Sequence, residues 1–381
     1  MRSNYKRLGN YIKLVEGRNT VLQTLPLMGL SITKKFIPSI ANLVGTDMTT
    51  YRTIIRNQFA YSPVTSRNGD KITIALFDDH DKALISQAYT PFEVIDKKEL
   101  LPEYLMMWFR RTEFDRYARF MSHGSARELF SWEDLCDLKM PIPAIAKQKE
   151  IVKEYNVIQN RIALNKKLIQ KLEDTAQAIY KQWFVDFEFP DENGKPYKSK
   201  GGEMVESEMG EIPINWEVGS LLDLIELQRG FDLPTQNRKE GTYPIFASTG
   251  TKEKHNAFKV KAPGIVTGRS GSLGEVFYVD EDFWPLNTTL WVKHFKKATP
   301  IYAYYVLNGI NIIDYNGGSA VPTLNRNDIH RHQLLVPEKY VVEKFETIQQ
   351  VFFKRIKGIE IENQKLSELK ELLLSKLTSL N

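Results

Sequence analysis

The sequence predicts an α+β (mixed α/β) chain: two tandem globular regions, each followed by a long helix, with the helices paired antiparallel and the halves related by a pseudo-twofold axis. Three observations predict it. Shifted against itself by 194 residues, the chain matches without insertion from residue 124 to its end. Gly124-Ser125-Ala126 falls on Gly318-Ser319-Ala320, Leu135 on Ile329, Ile142-Pro143 on Val336-Pro337, and Gln170-Lys171-Leu172 on Gln364-Lys365-Leu366. Two segments held in that register carry a heptad pattern, and the regions ahead of them mix short strand-like runs with turn signals.

In the first heptad segment Ile151, Tyr155, Ile158, Ile162, Asn165, Ile169, Leu172, Ala176, Ile179 and Trp183 recur at alternating spacings of four and three. A helix is expected, about 50 Å long at 1.5 Å per residue. The repeat places Phe345, Gln349, Phe352, Ile356, Ile359, Asn363, Leu366, Lys370, Leu373 and Leu377 on the second helix, a stripe with polar breaks. So narrow a stripe wants a helical partner, and each helix is the other's obvious one. If they run antiparallel with ends level, Asn165 meets Asn363, Trp183 meets Phe345, Ala176 meets Phe352 and Ile151 meets Leu377, and the two core amides satisfy each other. The alternative is that each helix merely covers its own domain.

Upstream the register loosens: Gly17 matches Gly230 and Pro102 matches Pro300 with different shifts. Strand candidates are 72–77 and 88–94 in the first region and 264–267, 274–279 and 288–292 in the second, with helical runs near 101–118 and 301–307. The expected boundaries are 1–147 for the first region, 148–189 for the first helix, 190–216 for an extended crossover rich in Gly, Pro and charge, 217–341 for the second region and 342–381 for the second helix.

At 381 residues and 42% hydrophobic content the chain has room for two cores. No apolar run approaches the length of a membrane span, and residues 1–20 lack a signal-peptide pattern, so a cytoplasmic protein with no membrane partner is expected. One cysteine, Cys136, excludes an intrachain disulfide and argues against a thiolate zinc site. Formal charge is +5; residues 1–150 hold 22 basic and 17 acidic side chains, residues 217–343 hold 14 of each. The second region would therefore have to bind a polyanion through local patches.

Several segments suit DNA contact, each with a plainer reading. Thr267-Gly268-Arg269-Ser270-Gly271-Ser272-Leu273-Gly274 lacks the GK[ST] ending of a phosphate loop and is either a strand-connecting turn or a loop whose amides, Arg269 and Ser270 face a polyanion. Its approximate counterpart is 66–71, with Arg67 and Lys71. Ser122–Arg127 with His123 and Arg127, and its repeat mate 316–323 opening at Asn316, would let the backbone approach another surface or would serve as core-adjacent turns. Arg116 and Arg119 share a helical face, Lys252 and Lys254 sit in a basic patch, and Arg326 follows the second small-residue run; solvated surface explains these equally well. His330 and His332 do not form a metal-ligand cluster, no catalytic constellation stands out, and no Gly-rich S-adenosylmethionine signature is present.

The architecture resembles the specificity subunit of type I restriction-modification enzymes. Family-typical stretches are Ile142-Pro143 with Gln148 ahead of Ile151, Trp183-Phe184-Val185-Asp186-Phe187, and Pro196-Tyr197-Lys198-Ser199-Lys200-Gly201-Gly202-Glu203-Met204-Val205-Glu206-Ser207 leading to Gly210-Glu211-Ile212-Pro213 and Trp216. The second copy departs from the first, with Val342 in place of Gln148. The resemblance implies a non-catalytic bacterial or archaeal subunit with two target-recognition domains reading a bipartite double-stranded DNA target, the helices setting the spacer. It implies two modification subunits that use S-adenosylmethionine for adenine-N6 methylation, and restriction subunits that use ATP and Mg. Without the resemblance, a coiled-coil scaffold or adaptor that reads no DNA sequence would fit the same periodicity.

Overall fold

The computed structural model describes residues 5–41, 44–66, 68–124, 127–317 and 322–379. It divides into two compact units, residues 1–166 with 361–381, and residues 167–360. The division cuts through both long helices, so each unit contains a segment of each helix instead of ending where a helix begins.

The first unit runs β1 (Tyr5–Arg7), β2 (Ile12–Leu14), β3 (Leu27–Leu30), β4 (Phe36–Pro38), β5 (Arg52–Ile55), β6 (Phe59–Tyr61), β7 (Ile74–Leu76), β8 (Lys82–Ile85), β9 (Thr90–Val94), α1 (Pro102–Phe109), α2 (Thr112–Met121), α3 (Trp132–Asp137) and β10 (Lys139–Pro141) into the long helix α4 (Ile145–Phe184). One sheet has the order β2-β9-β6-β7, all antiparallel; the other, β4-β3-β8-β5, contains a parallel β3–β8 pair. The two-residue alternation of a strand explains how β6 and β7 serve two cores. Phe59, Tyr61, Ile74 and Leu76 face the cluster shared with α1, whereas Ala60, Ala75 and Phe77 face the smaller one. The helical run near 101–118 is broken into two helices. Pro102 opens α1, and Arg111 is extended at ψ 144° with its guanidinium 4.3 Å from the Trp108 ring centre and 3.2 Å from Glu113.

The second unit repeats this plan. After α4 come β11 (Met204–Ser207), β12 (Gly210–Pro213), β13 (Glu217–Ser220), α5 (Leu221–Leu224), β14 (Ile225–Arg229), β15 (Tyr243–Ala247), β16 (Gly250–His255), β17 (Gly264–Gly268), β18 (Val276–Val279), β19 (Trp284–Pro285), β20 (Thr289–Phe295), α6 (Pro300–Gly309), α7 (Arg326–His330), β21 (Gln333–Val336) and α8 (Lys339–Lys376). The sheet β14-β20-β17-β18 has the order and direction of β2-β9-β6-β7, and β15–β19 is parallel like β3–β8. The strand answering to β5 shrinks to one bridge, Val260 with Phe283. β13 pairs with β21 as β1 pairs with β10, closing the start of each region onto the strand that feeds its long helix.

Residues 190–216, expected as an extended crossover, are folded. β11 and β12 form a hairpin, and Phe189, Ile212 and Trp216 are buried in the second unit's core, with Phe189 and Trp216 stacked at 5.5 Å. Apolar side chains at wide spacing among charges hid a packed cap. The long helices also begin three residues earlier than expected, at Ile145 and Lys339, and the first ends at Phe184 rather than 189.

Within each unit the helix segments pair antiparallel along the expected seam. In the first, Asn165 is 2% exposed and its Nδ2 donates to Asn363 Oδ1 at 2.9 Å, while Ile151 and Tyr155 share a core with Leu373, Leu374 and Leu377. In the second, Trp183 lies 5.8 Å from Phe345, and the buried Gln349 donates to the Ala176 carbonyl at 3.0 Å, interrupting the apolar stripe with a satisfied amide. Ile162, Ile169, Leu172, Ile179, Phe352, Ile356 and Leu366 are half-buried, as a two-helix seam requires, and Ile158 and Ile359 are buried.

The start of each long helix anchors a helix of the preceding globular region by different chemistry. Gln148, fully buried, accepts from Leu101 N at 2.9 Å and donates to the carbonyls of Glu99 and Pro143. At the equivalent position Val342 is buried in the core, and Glu346, one turn later, accepts from Ile301 N at 2.9 Å instead. Burial pushes the Glu346 carboxyl above its ordinary pKa, against the hydrogen bonds of the α6 amides.

Candidate nucleic-acid interface

Both units build the same backbone crossing. In the first, the β6–β7 loop meets the segment that leaves α2: Phe130 N donates to Pro63 O at 2.9 Å, Thr65 N to Glu128 O at 3.0 Å, and His123 N to Leu129 O at 3.2 Å. In the second, the β17–β18 loop meets the segment after α6: Leu324 N donates to Arg269 O at 2.8 Å, Gly271 N to Pro322 O at 3.1 Å, and Gly317 N to Thr323 O at 3.1 Å. The 194-residue shift carries Phe130, Glu128, Leu129 and His123 onto Leu324, Pro322, Thr323 and Gly317, so three hydrogen bonds recur between equivalent atoms on this side of the crossing. Glycine is required where the chain turns most tightly. Gly124 has φ +139°, and a Cβ there would sit 2.1 Å from Arg127 O; Gly271 has φ +90°.

The crossings carry different side chains. Around the first, Lys71, Arg116, His123 and Arg127 are exposed, and Arg119 of α2 pairs with Glu128 in the segment that leaves it. The basic run 110–119 is split. Arg116 and Arg119 point to solvent, whereas Arg111 is buried against Trp108 and Arg110 lies over Tyr155. Beneath them a buried ion pair ties four pieces together: Asp115 accepts from Lys34 Nζ at 2.8 Å and from Ile72 N at 3.1 Å, and Lys34 also donates to Phe109 O. Burial lowers the Lys34 pKa, and the Asp115 carboxylate opposes that shift. This anchor was missed in the sequence because Lys34 and Asp115 lie 81 residues apart. Arg67 and the small residues 125–126 and 318–320 lie outside the described residues.

Around the second crossing, Arg269 is half-buried and donates to Asn287 O at 3.4 Å, Ser270 bridges to Thr323, and Asn316 Oδ1 accepts from Thr323 N at 3.0 Å. Arg269, Ser270 and Asn316 are thus brought together, and Arg326 stands exposed at the start of α7, two residues beyond Leu324. Lys252 and Lys254 lie apart from this group, exposed along the edge strand β16, while the neighbouring His255 is buried. The turn ahead of β16 does reach the loop: a Cβ at Gly268 would approach Ser248 Cβ to 3.4 Å. His330 and His332 serve the fold. His330 Nε2 accepts from Leu227 N at 2.9 Å, His332 Nδ1 meets Tyr315 OH at 2.6 Å, and burial lowers both pKa values. Among the described residues no His, Cys, Asp and Glu cluster suits a metal, and no helix is long and apolar enough to cross a membrane.

Comparison with known proteins gives a consistent picture. The family model for the type I restriction modification DNA specificity domain matches twice, over residues 49–174 and 213–371. The type I restriction enzyme MjaIX specificity subunit of Methanocaldococcus jannaschii is 25% identical over 315 residues, 74% of this chain and 70% of its own length. The HindI specificity subunit of Haemophilus influenzae is 21% identical over 406 residues, covering 86% of each chain. Among solved structures, the type I restriction-modification S subunit from M. genitalium superposes with a TM-score of 0.63 at 15% identity, over 98% of this chain and 95% of that one.

Proposed function

The chain belongs to the type I restriction-modification specificity-subunit family, and from that premise we propose that its two loop crossings each read one half of a split DNA target. As a member of that family the chain is a non-catalytic subunit that supplies DNA sequence specificity. The observation that carries the assignment of the reading surfaces is the recurrence of one backbone crossing beneath two unlike sets of side chains. A fixed platform with interchangeable polar and basic groups is what two different DNA words demand, since phosphate contacts position a protein and base contacts specify.

In this reading Lys71, Arg116, Arg119, His123 and Arg127 serve the first half-target, with Arg67 beside them in sequence. Arg269, Ser270, Asn316 and Arg326 serve the second, and Lys252 and Lys254 add phosphate contacts from the β16 edge. The paired helices set the spacer and receive two modification subunits, whose S-adenosylmethionine provides the methyl group for adenine N6. Restriction subunits, using ATP and Mg, complete the complex.

Adenine-methylation profiling of cells expressing this chain with its neighbouring methyltransferase tests the reading. A gapped motif is expected, and replacing residues 217–343 by those of another member should change one half-motif only. Inserting one heptad in both long helices should widen the gap with both half-motifs intact. A continuous motif, or a replacement that leaves both half-motifs unaltered, would refute it.

A further inference from the structure

Each crossing carries an exposed apolar side chain that no core uses. Phe120, near the end of α2, is 79% exposed, one turn beyond Arg116 and beside Arg119. Ile313, in the single helical turn Ile312–Tyr315 that leads into the second crossing, is 60% exposed, while Ile312 beside it is 1% exposed. The 194-residue shift places Ile313 opposite Arg119, one position from Phe120. A Cβ at Gly274 would lie 3.8 Å from the Ile313 side chain, so Ile313 stands over the loop that holds Arg269 and Ser270.

A single exposed apolar residue is ordinary on a protein surface. Two that stand in the last helical turn before each crossing, one register position apart, are not explained that way, because the two regions have diverged in almost every other exposed side chain around these loops. Neither residue adds appreciably to stability, since neither is removed from water. Among polar and cationic neighbours, an apolar side chain gains only if its partner is apolar. On the major-groove edge of DNA that partner is the C5-methyl group of thymine.

We infer that Phe120 and Ile313 are specificity-determining residues, each packing on a thymine methyl group in its own half-target. The inference rests on the proposed reading of the two crossings. Its test uses the full chain with its methyltransferase partner. Phe120→Ala should relax one position of the first half-motif and leave the second unchanged; Ile313→Ala should do the converse. Phe120→Leu, which keeps an apolar contact, should preserve the motif, and retention of the other half-motif reports that each variant complex is folded.

Deoxyuridine in place of each half-target thymine provides the chemical arm. One substitution per half should weaken binding about fourfold, the worth of one buried methyl group, and the alanine variant should abolish that sensitivity. Unchanged motifs in both alanine variants, or relaxed motifs with no deoxyuridine effect, overturn the inference; the latter outcome points to a wedge between base steps. The region replacement separates the two levels. If it alters one half-motif while the alanine variants alter none, only the thymine contact falls; if it alters neither, the assignment of the crossings falls with it.

Discussion

Replacing Asn165 by leucine tests the antiparallel seam at its most specific point. Asn165 is 2% exposed and donates to Asn363 Oδ1 at 2.9 Å, so the single change leaves the Asn363 amide facing an apolar side chain it cannot bond. An unsatisfied, desolvated amide costs about 1–3 kcal/mol, while the new leucine recovers part of that by apolar burial. The expected net loss is about 1–2 kcal/mol. Asn165→Leu with Asn363→Leu removes both polar partners together and should restore stability to the wild-type level or above, because two matched apolar groups leave nothing unsatisfied. Asn363→Leu strands Asn165 in the same way, so the cycle of single and double variants, measured by urea unfolding with far-UV circular dichroism, should give a coupling of about 2–4 kcal/mol, the sum of the two single losses. Hydrogen exchange of the amides around 158–172 would localise the change. A double variant at least as destabilised as Asn165→Leu alone would refute the reasoning, since the amides would then be serving partners other than each other.

Gln148→Leu should destabilise the first unit by about 2–3 kcal/mol, because it strands the α1 amide and two carbonyls, with hydrogen exchange in the second unit unchanged. Acid should weaken the second unit through His330: burial holds its pKa below 6.5, so below pH 6.5 the unfolded chain binds a proton that the folded chain resists, and this share of stability, complete above that pH, declines as pH falls. His330→Gln should therefore flatten the fall of Tm below pH 6.5, and an unchanged slope would place the acid sensitivity elsewhere. Arg116→Ala should weaken DNA binding by the complex similarly for all sequences and reduce the salt slope by about one, leaving both half-motifs as they were; a changed half-motif would make Arg116 a base reader.

The seam was legible in the sequence because a heptad stripe states its partner face directly. The level-ended register then followed from one physical demand, that the two amides on the seam meet. The crossings were legible only as fragments. Glycines and small residues marked Gly124 and the 267–274 loop as tight turns, but the hydrogen bonds that join 63–65 to 128–130, and 269–271 to 322–324, link segments more than 50 residues apart and leave no periodic trace. The Lys34–Asp115 anchor was hidden for the same reason, and the Phe189–Trp216 cap because its apolar residues are scattered through a charged, Gly-rich stretch.

The units differ most in side chains and least in backbone hydrogen bonds, and that contrast has a physical basis. A crossing held by main-chain donors and acceptors needs only that its glycines and its few buried neighbours be kept; its exposed side chains carry almost no stability and are free to change. Gln148 and Glu346 show the same economy inside the fold, anchoring equivalent helices with a neutral amide in one unit and a carboxylate one turn later in the other. A recognition surface can thus alter the base it reads without disturbing the helix register. Side chains that keep an apolar character at the entry to both crossings, such as Phe120 and Ile313, are therefore where a shared mode of reading should be sought.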